Sequence, residues 1–258
     1  MLKHFLFTFL LLGTAPLSVQ AKSLDKALPA QETNVARPES DVSKDALRKP
    51  FEMLQFAEVK PQQRVLELVP GGGYFTRVLS AALTPQGKLY GLVPKPHERL
   101  PDKLNQIFTR GYQGLQATAQ TLPNVEALQQ DLHQVQLPGE VDLVWTSQNY
   151  HDMYLYWGPE ATHRLNQAVF AALKPGGIYL VSDHVGKAGS DLAAISALHR
   201  IDPALVKQQV EAAGFVLEAE SQLLHNPADD HTLNVFDPSL RGQTDQFVFR
   251  FRKPASSK

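Results

Sequence analysis

The sequence of 258 residues contains no cysteine. This absence excludes disulfide bonds, thiolate metal ligands and cysteine nucleophiles together. An excess of either charge is also missing, because 25 Lys and Arg residues balance 26 Asp and Glu residues. Without a basic excess the chain lacks the means to neutralise many phosphates, so we expect no nucleic-acid partner. Hydrophobic residues make up 43% of the sequence, which is enough to form the buried core of one large domain.

The first 21 residues have the pattern of a secretory signal peptide. Basic Lys3 precedes an apolar run over residues 5–12, and the segment closes on Val19-Gln20-Ala21, the small-x-small pattern that a signal peptidase recognises. We therefore predict cleavage after Ala21, export to the periplasm, and no stable membrane span in the mature chain. The alternative is an uncleaved anchor, although the apolar run is short for a bilayer span.

The mature chain divides into a short arm and one α/β domain. Residues 22–42 are polar and lack periodicity, so we expect a flexible N-terminal arm. Over residues 43–258, β-type runs alternate with helical patterns. The runs are 64–70, 88–93, 125–130, 141–146, 178–181, 215–224 and 246–251. Helical patterns cover 74–83, 100–109, 159–173 and 203–213. This alternation predicts a single doubly wound, mostly parallel seven-stranded sheet with helices on both faces.

Ligands of such sheets bind outside the carboxyl ends of the strands. After the first strand the chain carries Gly71, Gly72 and Gly73, where the backbone can turn sharply and approach a ligand without an intervening Cβ. The helix that follows points its N–H groups at this position. The spacing is neither that of a dinucleotide fold nor that of a P-loop, which disfavours hydride and phosphoryl transfer. A tight turn without a ligand is the alternative.

Two motifs carry a resemblance to a known family. The run Val65–Gly73 resembles the first motif of class I S-adenosylmethionine-dependent methyltransferases, an acid followed by G-x-G-x-G. The turn Leu173–Gly177, before a strand, is similar to one that is usual in that superfamily. With Arg48-Lys49-Pro50, the order of these motifs resembles a group of predicted exported bacterial methyltransferases over about residues 43–253. The resemblance implies a Rossmann-like fold whose last strand is antiparallel.

The resemblance also implies S-adenosylmethionine as the cofactor and assigns residues to it. Gly71 and Gly73 would approach the methionine portion, and Glu67 would support the loop from the strand end. Asp131, after the third strand, would contact the adenine amino group. The implied cofactor-binding set is Glu67, Gly71, Gly72, Gly73, Asp131 and Asn149.

Two departures from the family pattern weaken this cofactor site. Val69 stands where the motif has its first glycine, and Leu92-Val93-Pro94-Lys95 offers no acid for the ribose hydroxyls. The loss of a charged acceptor costs roughly 1–3 kcal/mol of binding. The alternative function is therefore a non-catalytic exported protein that binds another small ligand in the same crevice. Hydrolase chemistry is disfavoured because no serine stands in a G-x-S-x-G pattern.

Catalytic candidates follow the fourth strand. Asn149-Tyr150-His151-Asp152 is not the motif of amino-methylating nucleic-acid enzymes, so we predict a small-molecule acceptor. His151 would remove its proton, with Asp152 orienting His151 or acting in its place. The alternative is that His151 only hydrogen-bonds the loop while Asp152 caps the next turn.

A metal site receives less support from the sequence. Asp183 and His184 follow the fifth strand and would converge with His151 and Asp152 at one edge, and mixed imidazole and carboxylate ligands suit a divalent ion. Neighbouring residues on a strand point to opposite faces, however, so each pair offers only one ligand easily. With no spacing signature, we predict no metal. A further polar cluster is interpreted as a solvated loop: His225, Asp229, Asp230 and His231. No role is assigned to single histidines at 184, 199, 225 and 231, and the oligomeric state is left open.

Overall fold

The structure, a computed structural model, describes residues 37–83, 86–132, 134, 136 and 139–255. The predicted signal peptide and residues 22–36 of the predicted arm lie outside this part of the chain. The described residues belong to one compact unit. Among their helices, none is both long enough and apolar enough to cross a membrane.

Seven strands form one sheet with helices on both faces. The strands are β1 (Arg64–Leu68), β2 (Lys88–Pro94), β3 (Val125–Gln130), β4 (Val141–Ser147), β5 (Leu173–His184), β6 (Val216–Ser221) and β7 (Gln246–Arg252). The helices are α1 (Glu39–Val42), α2 (Asp45–Arg48), α3 (Pro50–Phe56), α4 (Tyr74–Leu83), α5 (Asp102–Thr121), α6 (Tyr150–Ala172), α7 (Leu192–Leu198) and α8 (Pro203–Glu211).

The strand order is β3-β2-β1-β4-β5-β7-β6. The pairs from β3 through β5 are parallel, and β7 runs antiparallel to both of its neighbours. The chain therefore has the predicted doubly wound sheet with an antiparallel last strand. Strand order reverses between β1 and β4, so the crevice for a ligand lies at the carboxyl ends of these two strands.

Each face of the sheet buries its own hydrophobic cluster. On one face, side chains such as Val65, Leu143 and Trp145 pack beneath α3, α4 and α5. On the other, Leu66 and Val144 pack beneath α6, α7 and α8. Burial on both faces explains why the central strands are nearly continuous apolar runs. Four large aromatic residues of β4 and β7 are buried: Trp145, Phe247, Phe249 and Phe251.

Several predicted boundaries were wrong, and glycine explains two of them. The helix predicted to end at residue 109 continues to Thr121 through Gly111 and Gly114. Glycine has a low helix propensity, but the packing of Phe108 and Leu115 in the core outweighs it. The helix predicted to start at Pro159 is preceded by a helical segment from Tyr150, with a kink at Gly158. α7 was not predicted, and β5 extends beyond the predicted 178–181 at both ends.

The described end of the predicted arm packs against the domain. Asp41 of α1 is buried, and the Arg77 guanidinium of α4 donates to it at 2.6 Å. Arg37 donates two hydrogen bonds to Asp45, at 2.9 and 2.7 Å. Residues 37–42 are thus tied to the domain by charged hydrogen bonds, and the packed chain begins before residue 43.

Candidate functional site

A cavity of about 600 Å³, here called the large cavity, opens at the carboxyl ends of β1, β2 and β4. The glycine turn after β1 forms one wall, and the start of α6 contributes Asn149 and Asp152. The opposite wall is a stripe of α5 that includes Ile107, Phe108 and Leu115. Asp152 is the single carboxylate among the described residues that line this cavity.

The glycine turn presents bare backbone to the large cavity. Gly71 and Gly73 have φ angles of +59° and +76°, which L side chains rarely adopt. A Cβ built on Gly71 or Gly72 would meet no atom within 4 Å, so both residues face open space. At Gly73 a Cβ would come within 2.8 Å of an Arg77 nitrogen. The turn is therefore shaped by backbone conformation, as the sequence predicts.

Val69 is strained at the position where the family motif has a glycine. Its φ is +51°, a left-handed conformation that is rare for a β-branched residue. Its amide donates to the Leu92 carbonyl at 2.9 Å, and its carbonyl accepts from the Asn149 side-chain amide at 3.1 Å. These bonds hold Val69 in a backbone conformation that costs of order 1–3 kcal/mol.

A smaller cavity of about 210 Å³, here called the small cavity, lies on the other side of the glycine turn. Lys44 and Arg48 contribute cations to its lining, and Glu67 lies in its wall. Glu67 is buried and accepts a hydrogen bond from the Thr76 hydroxyl at 2.6 Å. Burial raises the pKa of Glu67 to about 7, against the opposing effects of Thr76 and of the Arg77 charge. The small cavity therefore combines the cations of Lys44 and Arg48 with two acids, Asp41 and Glu67, and the pKa of Glu67 is near neutrality.

A third cavity of about 450 Å³, here called the side cavity, holds Asp131. Lys95 and Arg99 also line it, and Trp157 lines both this cavity and the large one. Asp131 is thus beside the large cavity rather than in its wall. Among the described residues, no acid from the end of β2 lines any of the three cavities. This agrees with the sequence, in which Leu92–Lys95 offers no acid for the ribose hydroxyls.

The residues after β4 begin a helix instead of continuing a strand. Asn149 is the N-cap of α6, and its side-chain amide donates to the carbonyls of Val69 and Ser147, at 3.1 and 2.6 Å. Asn149 thereby joins the start of α6 to the glycine turn. The argument that His151 and Asp152 point to opposite faces of a strand does not apply, because both lie in the first turn of α6.

His151 lies behind Asp152 as seen from the large cavity. His151 is only 2% exposed and is not part of the cavity lining, whereas the Asp152 side chain is 34% exposed and lines it. The His151 Nδ1 atom is 2.8 Å from Asp183 Oδ1, and the His151 backbone amide donates to Asp183 Oδ2 at 2.8 Å. Asp183 therefore fixes the orientation of the imidazole.

The two neighbouring buried histidines have pKa shifts of opposite sign. Burial lowers the pKa of His151, but the adjacent Asp183 carboxylate outweighs burial, so the net shift is upward. Burial raises the pKa of Asp183, yet the attraction of His151 leaves it below its ordinary value. His184, whose Nδ1 is 2.7 Å from the Thr244 hydroxyl, has its pKa lowered to about 4 by burial.

His199 completes a cluster that the sequence pattern did not reveal. It caps the C-terminus of α7 with a φ of +52°, and its ring packs edge-on against His151 with centroids 5.5 Å apart. Asp152 Oδ1 is 3.4 Å from His151 Nε2 and 3.3 Å from His199 Nδ1. All three atoms are buried and lack a hydrogen-bond partner. Because His199 lies far along the chain from residue 151, only the tertiary fold brings them together.

The polar segment after β6 is not simply a solvated loop. Asp229 is buried and pairs with the buried Arg200 guanidinium at 2.9 Å. Asp245, also buried, lies 2.9 Å from a ring nitrogen of both His225 and His231. The interpretation as a solvated loop was wrong for Asp229, because a buried guanidinium requires a charged partner. Asp230 is exposed and agrees with the interpretation as a solvated loop.

Solved structures resemble this chain at the level of the fold. No family model and no curated protein matches the sequence. An S-adenosylmethionine-dependent methyltransferase from Aquifex aeolicus has a TM-score of 0.53 and 15% identity, covering 85% of this chain and 100% of that one. A possible exported protein from Bordetella parapertussis has a TM-score of 0.52 and 18% identity, and the match covers 83% of this chain and 68% of that one. The cyclase SpnF has a TM-score of 0.55 and 18% identity, and the match covers 82% of each chain. The chain therefore has the fold of class I S-adenosylmethionine-dependent methyltransferases, as its motifs predict.

Proposed function

We propose that this protein binds S-adenosylmethionine across the glycine turn and transfers its methyl group to a small molecule held in the large cavity. The observation that carries the proposal is the bare backbone of Gly71 and Gly72, which lines both a small cavity with charged groups of both signs and a mostly apolar large cavity. The similarity to solved methyltransferases supports the same conclusion through the fold.

The small cavity suits the amino-acid end of this cofactor. Lys44 and Arg48 provide positive charge for its carboxylate, and Glu67 provides a carboxyl group for its ammonium. Charge-assisted hydrogen bonds of this kind are the stronger class. Asp131 lies in the side cavity, which shares Trp157 with the large cavity, and we expect the adenine to extend toward this side cavity.

The large cavity supplies what methyl transfer requires of a protein. When bound, the cofactor provides an electrophilic methyl group, and transfer depends on alignment and on exclusion of water. The apolar wall of α5, with Ile107 and Phe108, excludes water from the acceptor. Asp152 is the carboxylate in contact with this space, so it is the group placed to receive a proton. His151, held by Asp183, acts behind Asp152 as a positioning residue.

A sharp test uses Gly72, which has no positive φ and whose Cβ would enter open space. In Gly72→Val, the side chain would occupy the cofactor position without straining the turn, and we expect at least a tenfold loss of affinity for S-adenosylmethionine by calorimetry. The matched control is Ala117→Val, which adds similar bulk on the exposed side of α5. Unchanged affinity in Gly72→Val would contradict the proposed site.

Export is the second part of the proposal. It is supported by the signal-peptide pattern up to Ala21 and by the resemblance to the possible exported protein from Bordetella parapertussis. N-terminal sequencing of protein recovered from the periplasm is expected to begin at Lys22. A different start, or recovery only from the cytoplasm, would contradict it.

The alternative is an exported protein that binds another ligand in the same crevice without catalysis. Strain at Val69 and the cationic Lys95 at the end of β2 favour this alternative. Calorimetry with S-adenosylmethionine and S-adenosylhomocysteine separates the two functions, because the alternative predicts no binding of either at millimolar concentration.

A further inference from the structure

Three buried polar atoms converge at the start of α6 without hydrogen-bond partners. They are His151 Nε2, Asp152 Oδ1 and His199 Nδ1, and all lie within 4.8 Å of one another. The two contacts of Asp152 Oδ1, at 3.4 and 3.3 Å, do not have hydrogen-bond geometry. Each buried polar atom left unsatisfied costs about 1–3 kcal/mol, so the cluster requires a partner that it does not itself contain.

The separations fit ligands of one metal ion. Bonds from a divalent ion to imidazole nitrogen and carboxylate oxygen are about 2.0–2.2 Å long, which places adjacent ligand atoms about 3–3.5 Å apart. The distances from Asp152 Oδ1 to the two histidine nitrogens fall in this range. His151 and Asp152 are adjacent in sequence, yet the first turn of α6 allows both to reach the same point.

The surroundings hold the ligands as metal sites require. A histidine that binds a metal usually has its other ring nitrogen hydrogen-bonded to a carboxylate or carbonyl. His151 has this arrangement, because its Nδ1 is 2.8 Å from Asp183 Oδ1. Asp183 also accepts from the backbone amides of His151 and His184, at 2.8 and 2.7 Å. His199 is fixed through its neighbour Arg200, whose guanidinium is buried against Asp229.

The charge of the cluster favours a dication. Asp152 and Asp183 carry two negative charges, while the metal-binding form of histidine is neutral. We propose that His151 Nε2, Asp152 Oδ1 and His199 Nδ1 form a mononuclear site for a divalent transition-metal ion such as Zn²⁺, Fe²⁺ or Co²⁺. Two imidazoles and one carboxylate are a ligand set suited to these ions. Asp152 also lines the large cavity, so the proposed metal site adjoins that space.

This site does not depend on the proposed cofactor, and the two are tested apart. Metal binding is measured without S-adenosylmethionine, and binding of S-adenosylmethionine is measured in the presence of a chelator. A failure of one measurement therefore leaves the other interpretable. An ion at this site would bind an oxygen or nitrogen atom of the acceptor and lower the pKa of a bound hydroxyl group.

The experiment is a titration of the chelator-treated mature chain, purified without a histidine tag, with Co²⁺ and Zn²⁺. We expect one equivalent of metal by elemental analysis, visible Co²⁺ absorption bands, and an affinity reduced roughly 100-fold or more in His199→Ala and Asp152→Asn. His163→Ala is the matched control, because His163 lies on α6 like Asp152 but outside the proposed site, and it is expected to bind metal as the wild type does. Thermal unfolding of each variant verifies that it is folded.

Two results would overturn the proposal. One is less than a tenth of an equivalent bound at roughly 100 μM Co²⁺ or Zn²⁺, an affinity far below that of structural zinc sites. The other is wild-type affinity in both His199→Ala and Asp152→Asn, with loss in His231→Ala instead. That pattern would assign the metal to the cluster around Asp245.

Discussion

The two sides of the crevice are built in different ways. The glycine turn takes Glu67, Val69 and the three glycines from one short stretch of chain, and its shape is a property of backbone conformation. The cluster at the start of α6 takes His151, Asp183 and His199 from separate elements, and its shape depends on buried charge. The first kind of site is written in consecutive residues, whereas the second exists only after folding.

We expect the largest effect from a substitution near the cluster at the start of α6, here called the assembled side of the crevice because its residues come from separate elements. Asp229→Asn removes the charge that compensates the buried Arg200 guanidinium, next to His199 in the chain. Breaking a buried ion pair on one side costs about 3–5 kcal/mol, so we expect the free energy of unfolding in urea to fall by that order. Affinity at the glycine turn, measured on the folded variant, should change little.

The control for this prediction is the next residue. Asp230 is exposed, and it accepts hydrogen bonds from the backbone amide and the hydroxyl of Thr232, two residues away. Asp230→Asn makes the same chemical change one position away and should leave the free energy of unfolding nearly unchanged. Equal effects of Asp229→Asn and Asp230→Asn would show that the Arg200 pair does not stabilise the assembled side.

The contrast between the two sides also explains how far the sequence could predict them. The positive φ angles at Gly71 and Gly73 follow from glycines after a buried strand, so the turn and the fold class were predictable. The convergence of Asp152 with His199 was not, because the helical start of α6 is separated from the predicted helix by the kink at Gly158. No local pattern marks His199, which takes a left-handed conformation that favours glycine.

A second prediction concerns the pH dependence of the glycine-turn side. The pKa of Glu67 is about 7 in the folded chain, above its ordinary value of 4.5, so the folded state holds the proton more tightly. Stability from this group is therefore fully present below pH 4.5, is lost as the pH rises to 7, and is constant above that. The full shift corresponds to about 3 kcal/mol.

Glu67→Gln should remove this dependence. The amide oxygen can still accept the hydrogen bond from Thr76, and no charge is buried above pH 7. We expect the variant to exceed the wild type in free energy of unfolding at pH 8 and to match it near pH 4.5. Glu52→Gln, at an exposed position, is the control and should retain the wild-type pH profile. A higher stability of Glu67→Gln that is equal at both pH values would contradict the burial of a titrating carboxyl group.

The smallest effect distinguishes strain from packing at Val69, which is partly buried against both hydrophobic clusters. Val69→Ala and Val69→Gly both lose the branched methyl groups, but only glycine adopts a φ of +51° without strain. A Cβ in the left-handed region costs roughly 1–2 kcal/mol, so Val69→Gly should be about 1 kcal/mol more stable than Val69→Ala. The glycine variant should also bind S-adenosylmethionine more tightly than the wild type, because it opens the side of the turn that lines both cavities. If Val69→Ala is the more stable of the two, the backbone at Val69 is not strained, and the turn is then held by side-chain packing like the opposite side of the crevice.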